Sequence, residues 1–128
     1  MKIETTPDPS KAKALIAMSN TTFERLQESD QEKYPSNTLI DYYDIIHKLL
    51  DAITCKEGIT FKGEGAHQQL IDYVCENHFG EKERIFLQDL RDSRNKIQYQ
   101  GFIISSSFIA SHSKQINAII KKLLFILE

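Results

Sequence analysis

The feature that most constrains the fold is a run of apolar residues with helical spacing between residues 35 and 55. The apolar side chains recur three or four positions apart and cover a broad arc of a helix: Leu39, Tyr43, Ile46, Leu49, Leu50 and Ile53. Pro35 and Ser36 at its beginning are typical of a helix start. We therefore predict that this segment is the central helix of the protein. With five Gly and three Pro among 128 residues, the chain has too few turn-forming residues for an all-β fold.

Four further helices are predicted from the same kind of pattern. The first follows Pro7 and Pro9, has Ser10 as its N-cap, and runs from about 11 to 28. Its side chains predicted to face the interior are Leu15, Met18 and Leu26. The others are predicted over about 66 to 77, over 81 to 99, and from the serines at 105 to 107 to about 127. The last of them carries an apolar stripe of Ile116, Ile119, Ile120, Leu123 and Leu127.

Five helices with short connections and no internal repeat predict an all-α protein, arranged as a compact five-helix antiparallel up-down bundle. The 128 residues fit a single domain, 1–128, in which residues 1–9 form a polar N-terminal lead. Residues 56 to 65 contain three glycines and are predicted to be a loop. This loop lacks the Gly-Lys-Ser/Thr ending of a phosphate-binding loop, and no strand is predicted before it.

Composition restricts the partners that the chain can bind. The net charge is −2, so the protein as a whole does not attract nucleic acid, and contact with RNA or a nucleotide requires a local cluster of cations. No apolar run reaches the roughly 18 residues of a membrane span, and no signal segment is present at the polar N-terminus. Cys55 and Cys75 are expected to be reduced, since they form no motif. We expect a soluble, cytoplasmic protein.

The segment from 87 to 102 combines an apolar seam with a cluster of cations and amides. Taking about 100° per residue, the spacing predicts a buried stripe of Phe86, Leu90 and Ile97. The predicted flank of that stripe is a row of Leu87, Arg91, Arg94 and Gln98, and the far side carries Asp92, Asn95 and Tyr99. Such a row is either a solvated surface with ordinary ion pairs or a site for a phosphate or carboxylate group. Gly101 is predicted to end this helix.

The histidines point to neither a metal site nor a cofactor site. His47 lies at the edge of the apolar arc of the central helix, near Asp44 and Asp51, and we interpret it as a packed side chain. It is nevertheless the one histidine that we would test as a proton carrier. His67 and His78 are predicted to be surface or cap residues too far apart to share a metal, so no metal and no cofactor are expected.

The order of these segments resembles that of the HEPN superfamily (higher eukaryotes and prokaryotes nucleotide-binding domain). The segment YYDIIHKLLDAI resembles the long second helix of the family, and GEGAHQQLIDYV resembles the approach to and course of its third. The segment LRDSRNKIQYQGF is similar to the helix that carries the family's site, whose pattern is Arg, a polar residue, three further positions and His. Arg94 and Asn95 occupy the first two places here, and Tyr99 stands at the position of the histidine.

The resemblance implies a homodimer in which two copies of this helix face each other. In active members the Arg and His cut RNA without a metal, and members are often encoded beside a nucleotidyltransferase, as in toxin–antitoxin pairs. Tyrosine has a pKa near 10 against about 6.5 for histidine, so Tyr99 is a poor base and we expect weakened catalysis. Since positions five apart differ by about 140° on a helix, spacing alone predicts that Arg94 and Tyr99 cannot share one face without a second copy.

Three functional hypotheses follow. In the first, a catalytically weakened HEPN-like homodimer binds a partner protein, a nucleotide or RNA through Arg91, Arg94, Asn95, Lys96 and Gln98. In the second, the protein is a metal-independent ribonuclease in which Arg94 holds the phosphate and Tyr99 or His47 transfers protons. In the third, it is the helical partner of a nucleotidyltransferase, with Tyr99 as the acceptor of a modification.

Overall fold

The computed structural model describes all 128 residues of the protein. Its elements in chain order are β1 (Lys2–Glu4), α1 (Pro9–Glu28), α2 (Pro35–Glu57), β2 (Ile59–Phe61), α3 (Ala66–His78), α4 (Glu81–Gln100) and α5 (Ser106–Ile126). Helices hold 76% of the residues, which confirms the prediction of a mainly helical protein with five helices. None of these helices has the length and apolar character needed to cross a membrane.

The centre of the fold is α2, which packs against all four other helices and against β2. All six residues of its predicted apolar stripe are buried, and none is more than 3% exposed. They belong to a single cluster of 23 buried residues that includes the five residues predicted as the stripe of α5. The prediction of the central helix is thus confirmed, because an apolar arc this broad is stable only when several elements cover it.

The first helix, α1, begins earlier than predicted, and the side of its middle turns that faces the core differs from the prediction. Asp8, rather than Ser10, is the N-cap, and its Oδ1 accepts a hydrogen bond from the Lys11 backbone N–H at 3.0 Å. Leu26 is buried as predicted, but Met18 is 55% exposed, so its assignment to the interior was wrong. Ser19 is buried in its place, and its hydroxyl donates to the carbonyl oxygen of Ile16, which satisfies the buried oxygen.

The buried face of α4 is centred on a residue that the spacing had placed on the flank. Leu87 is fully buried and Leu90 is 3% exposed, whereas Phe86 and Ile97 are only partly buried at the edge of the core. The rotation of α4 about its axis is set by α2 and α3, which cover it from one side. The beginning of the row at Leu87 therefore points inward, and Arg91 and Arg94 are carried toward α2 and half-buried, whereas Gln98 at its end is exposed.

A short two-stranded antiparallel sheet was missed by the sequence analysis; we call it the hairpin, although α1 and α2 rather than a turn connect its strands. β1 lies within the polar lead of residues 1–9, and β2 lies within the segment predicted to be a loop. The two strands pair antiparallel, with Ile3 opposite Thr60. Gly58 enables the close approach of the two segments: it is left-handed (φ 75°), and a Cβ there would lie 2.5 Å from the carbonyl oxygen of Thr5. Strands of three residues are too short to show an alternating pattern.

The helix ends near the predicted site agree with the sequence analysis. Gly101 ends α4 in the left-handed conformation (φ 73°). Ser105 caps α5, and its side chain accepts a hydrogen bond from the Phe108 backbone N–H. Cys55 and Cys75 are both free thiols, as expected.

Candidate functional site

The candidate site is built around Arg94 on the inward-facing row of α4. Its guanidinium carbon lies 5.3 Å from the ring centroid of Tyr43 on α2 and 5.8 Å from that of Tyr99. Nη1 donates a hydrogen bond to Asn95 Oδ1 at 2.8 Å, and no carboxylate pairs with this arginine. A half-buried guanidinium that is stacked on aromatic rings and has no counter-ion is well suited to receive an anion.

The expectation that Arg94 and Tyr99 cannot share one face within a single chain was wrong. Both side chains line the same groove of one protomer. The angle between two positions describes where their Cβ atoms lie, whereas a guanidinium reaches several bonds further and covers helix surface away from its own Cα. The spacing of these two residues is therefore no argument for a dimer.

Arg91, one turn earlier, is only partly free. Its Nη2 lies 3.0 Å from Asp92 Oδ1. This is the kind of ion pair expected if the row were an ordinary solvated surface. Its buried Nε, however, has no hydrogen-bond partner in the protein. The buried hydroxyl of Tyr43 and the buried Nε2 of His47 are likewise unpartnered. Three of the five such atoms in the chain thus belong to Arg91, Tyr43 and His47. A buried polar atom without a partner in the protein is a place where a bound water, an ion or a functional role is expected.

Arg91 and Arg94 border an open groove of about 340 Å³, which we call the arginine groove. The residues that line it are Gly63, Gly65, Ala66, His67, Arg91, Arg94, Asn95 and Tyr99. Two of the residues predicted for binding, Lys96 and Gln98, do not line it. Lys96 turns instead toward Phe102, with Nζ 5.9 Å from the centroid of that ring.

A second histidine, which the sequence analysis had assigned to the surface, joins the site. The rings of His47 on α2 and His67 on α3 lie 4.2 Å apart, and His47 Nδ1 is 3.7 Å from Asp51 Oδ2. Burial and the charge of Arg94 lower the pKa of His47, and burial and the neighbouring His47 lower the pKa of His67. No local sequence signal marks this imidazole pair, because its members come from different helices.

The phenol of Tyr43 remains protonated at neutral pH. Burial raises the pKa of Tyr43 to about 12, although Arg94 and Arg91 act in the opposite direction. Tyr43 therefore serves as an aromatic support under Arg94 rather than as a base. Tyr99 is 69% exposed, so its hydroxyl is available as a hydrogen-bond donor at the mouth of the arginine groove.

The arginine groove adjoins a larger groove of about 600 Å³ between the hairpin and the helices, which we call the hairpin groove. The two grooves share Gly63, Ala66 and His67. The other residues that line the hairpin groove are Thr5, Thr6, Asp8, Lys11, His47, Asp51, Thr54, Cys55, Ile59, Thr60, Phe61, Lys62 and Leu70. No group of three His, Cys, Asp or Glu side chains is placed to hold one metal ion.

Comparisons with family models, with curated proteins and with solved structures find no match for the chain.

Proposed function

We propose that the protein is a cytoplasmic, HEPN-like helical bundle that forms a homodimer and binds the phosphate groups of RNA or a nucleotide in the arginine groove, with weakened catalysis. On the basis of the resemblance, we also propose that the protein is part of a toxin–antitoxin or nucleotidyltransferase-associated system. The observation that carries it is the guanidinium of Arg94, which lies within 6 Å of the centroids of two aromatic rings and has no carboxylate partner.

Phosphate is the ligand chemistry that fits this groove best. The free edges of Arg94 and Arg91 offer N–H donors, and a guanidinium fork binds two phosphate oxygens at once. Asn95 and the exposed Tyr99 add neutral donors beside them. Because the whole chain carries a net charge of −2, this local cluster supplies the attraction that the overall charge does not.

The homodimer is supported by apolar residues that remain exposed where α4 ends. Phe102 is 54% exposed and Ile103 is 86% exposed, next to Tyr99. A second copy that covered these side chains would bring two arginine grooves close together, as the resemblance implies. Sedimentation of the protein over a range of concentrations tests this part of the proposal.

A metal-independent ribonuclease is the second candidate, and the imidazole pair favours it. Cleavage of RNA needs a base for the 2′-OH and an acid for the leaving oxygen, roles for which the phenol of Tyr99 is poorly suited. His47 and His67 lie in the adjoining groove and are neutral near pH 7, since their pKa values are lowered. They are better placed for proton transfer than Tyr99.

The proposal is tested by measuring the affinity of the protein for a fluorescently labelled single-stranded RNA. We expect Arg94→Ala to weaken binding by about 10-fold or more, because a hydrogen-bonded charge contributes roughly 1.5–3 kcal/mol. The loss should be similar for different RNA sequences, and the salt dependence should become shallower. Arg25→Ala is the matched control, since Arg25 is 66% exposed and pairs with Asp41 outside both grooves. Equal binding by the wild type and Arg94→Ala would refute the proposal.

Cleavage assays decide between the two candidates. In the presence of EDTA we expect the wild type to bind RNA without cutting it. Cleavage that persists in EDTA and is lost in both Arg94→Ala and His47→Ala would establish the ribonuclease instead. Mass spectrometry after co-expression with a neighbouring nucleotidyltransferase, if one is encoded there, tests Tyr99 as the acceptor of a modification.

A further inference from the structure

The outer edge of β1 is not paired with any other strand. The sheet contains two strands, so β1 has β2 on one side and no strand on the other. Lys2 and Glu4 are exposed, and Ile3 between them is half-buried. An exposed strand edge presents backbone N–H and C=O groups to which a further strand can bind. This edge is therefore a surface on which another chain can extend the sheet.

The ladder between β1 and β2 shows which backbone groups face the open edge. Met1 and Lys62 exchange two hydrogen bonds, at 2.9 and 3.0 Å. Because hydrogen-bonded pairs alternate with non-hydrogen-bonded pairs in an antiparallel ladder, Ile3 is the next residue whose backbone faces β2. The backbone N–H and C=O groups of Lys2 and Glu4 consequently point away from β2, toward the open edge.

The sequence of β1 is complementary to itself when two copies run antiparallel. If the two copies are centred on Ile3, Lys2 of each copy lies opposite Glu4 of the other. These are the residues whose backbone groups face the edge, so each of the two pairs can exchange two backbone hydrogen bonds. Their side chains also bring opposite charges together on one face of the sheet, which stabilises a cross-strand pair.

The charges favour this register over its neighbours. Registers that keep outward-facing backbone groups opposite each other differ by steps of two residues. A shift of two residues places Lys2 opposite Lys2 of the other copy, or Glu4 opposite Glu4, and like charges directly opposite are destabilising. A lysine alone on an edge strand discourages pairing. A lysine and a glutamate two positions apart instead select a single antiparallel register.

The strand is held against the body of the protein without a second copy. The ammonium group of Lys2 lies 5.1 Å from the centroid of the Tyr73 ring on α3, and that ring lies 5.7 Å from the ring of Phe61 on β2. The backbone N–H of Thr5 donates to the carbonyl oxygen of Gly58 at 2.8 Å, which fixes the other end of β1. An edge that is already ordered loses little conformational entropy when it pairs.

We propose that β1 is a docking strand for a second copy of this chain. The two β1 strands pair antiparallel about a two-fold axis at Ile3, and together with the two β2 strands they form one four-stranded sheet. This contact is separate from the apolar residues exposed at the end of α4, and it does not depend on phosphate binding. A chain with two different contacts of this symmetric kind assembles into more than two copies.

Reversal of the charges tests the proposed pairing. Lys2→Glu and Glu4→Lys each place like charges opposite each other in both symmetric pairs, and we expect each to weaken self-association by about 10-fold or more. The double variant, which carries both substitutions, restores opposite charges and should associate like the wild type. Lys13→Glu, at an exposed position of α1, is the control and should have no effect. Sedimentation equilibrium at protein concentrations up to about 0.5 mM measures the association, since small interfaces bind weakly.

Mixing the two single variants tests the register itself. A Lys2→Glu chain opposite a Glu4→Lys chain has two pairs of opposite charge, although each chain repels its own copies. We therefore expect the mixture to associate about as strongly as the wild type. Failure of the mixture and the double variant to regain association would overturn the proposal. Wild-type association by both single variants would also overturn it, and would leave the edge free for a strand from a different protein.

A cysteine at position 3 gives a readout that does not depend on charge. In the proposed register the two Ile3 residues form a non-hydrogen-bonded pair with Cα atoms about 4.5 Å apart, which a disulfide can bridge. Ile3→Cys should therefore yield a disulfide-linked dimer on a non-reducing gel after mild oxidation. The wild type, with its two free cysteines, is one control. Thr5→Cys is the other, because two Thr5 residues lie about 14 Å apart in this register and should not be linked. Absence of the Ile3→Cys dimer would contradict the pairing.

Ile103→Asp distinguishes this contact from the homodimer proposed at the end of α4. It places a charge among the apolar residues exposed there and leaves β1 unchanged. The mixture of the two charge variants should regain association equally well with and without this substitution, whether or not the α4 homodimer forms. Loss of that recovery in the Ile103→Asp background would place the contact at α4 and overturn the proposal for β1.

Discussion

Replacing Leu87 by alanine tests the rotation of α4, on which the position of Arg94 depends. Leu87 is fully buried, although the spacing of apolar residues placed it on the flank of the helix. Arg94 lies seven positions later, which is close to two full turns, so the two residues share one side of α4. If Leu87 faces the core, Arg94 is directed toward Tyr43 on α2.

The expected loss of stability follows from the burial of this side chain. The substitution removes the carbon atoms beyond Cβ, and at about 0.8 kcal/mol per buried CH₂ their transfer accounts for roughly 2.4 kcal/mol. Incomplete collapse of the cavity raises the expected cost to about 3 kcal/mol. For a chain of 128 residues, an unfolding entropy of about 2.1 cal/mol/K per residue converts this loss into a fall of about 11 °C in Tm.

Urea denaturation followed by circular dichroism measures the change in the free energy of unfolding. Ile85→Ala is the matched control, because Ile85 lies on the same helix but is 49% exposed. We expect the control to lose less than about 1 kcal/mol, since little area is uncovered and alanine is the better helix former. Equal losses at the two positions would refute the observed rotation of α4, and with it the placement of Arg94 over Tyr43.

Three further predictions concern the groups around the grooves. Tyr43→Phe should leave the free energy of unfolding unchanged or raise it by about 1 kcal/mol in a thermal melt, because the buried hydroxyl has no partner; a loss above 1 kcal/mol would reveal a missed hydrogen bond. His47 and His67 have lowered pKa values, so the unfolded chain takes up their protons first, and stability should fall as pH drops from about 7 to 5. The double glutamine variant should flatten that pH profile. Gly58→Ala should lower Tm more than Gly63→Ala, since both glycines have positive φ but only at Gly58 would the added Cβ clash with Thr5 and Pro7, which follow β1; equal losses would refute the close approach.

The sequence was sufficient to predict the helices, because their signals are local. The stripe of α2 recurs every three or four residues, and it forms the centre of the core. Ser105 and Gly101 bound their helices as predicted, since a cap depends on a few adjacent residues. Met18 was assigned wrongly for the complementary reason: an apolar residue stays exposed when no other element covers its side of the helix.

The candidate site could be predicted only in part. Arg94, Asn95 and Tyr99 were identified from one segment, and the structure brings them together in the arginine groove. His67 was missed because its partner, His47, lies on another helix. The hairpin groove was missed as well, since it needs the pairing of two three-residue strands from distant parts of the chain.

By itself, the sequence determined which segments are helical, where α4 ends and α5 begins, and that cations and amides gather on α4. Only the tertiary structure decided how α4 is rotated, which histidines meet, and that the polar lead forms one wall of a groove. The physical reason is that periodicity and capping act within a few residues, whereas the side on which a helix is buried depends on which neighbours cover it. Leu87 illustrates the difference: its spacing put it beside the stripe, and the packing of α2 and α3 put it in the core.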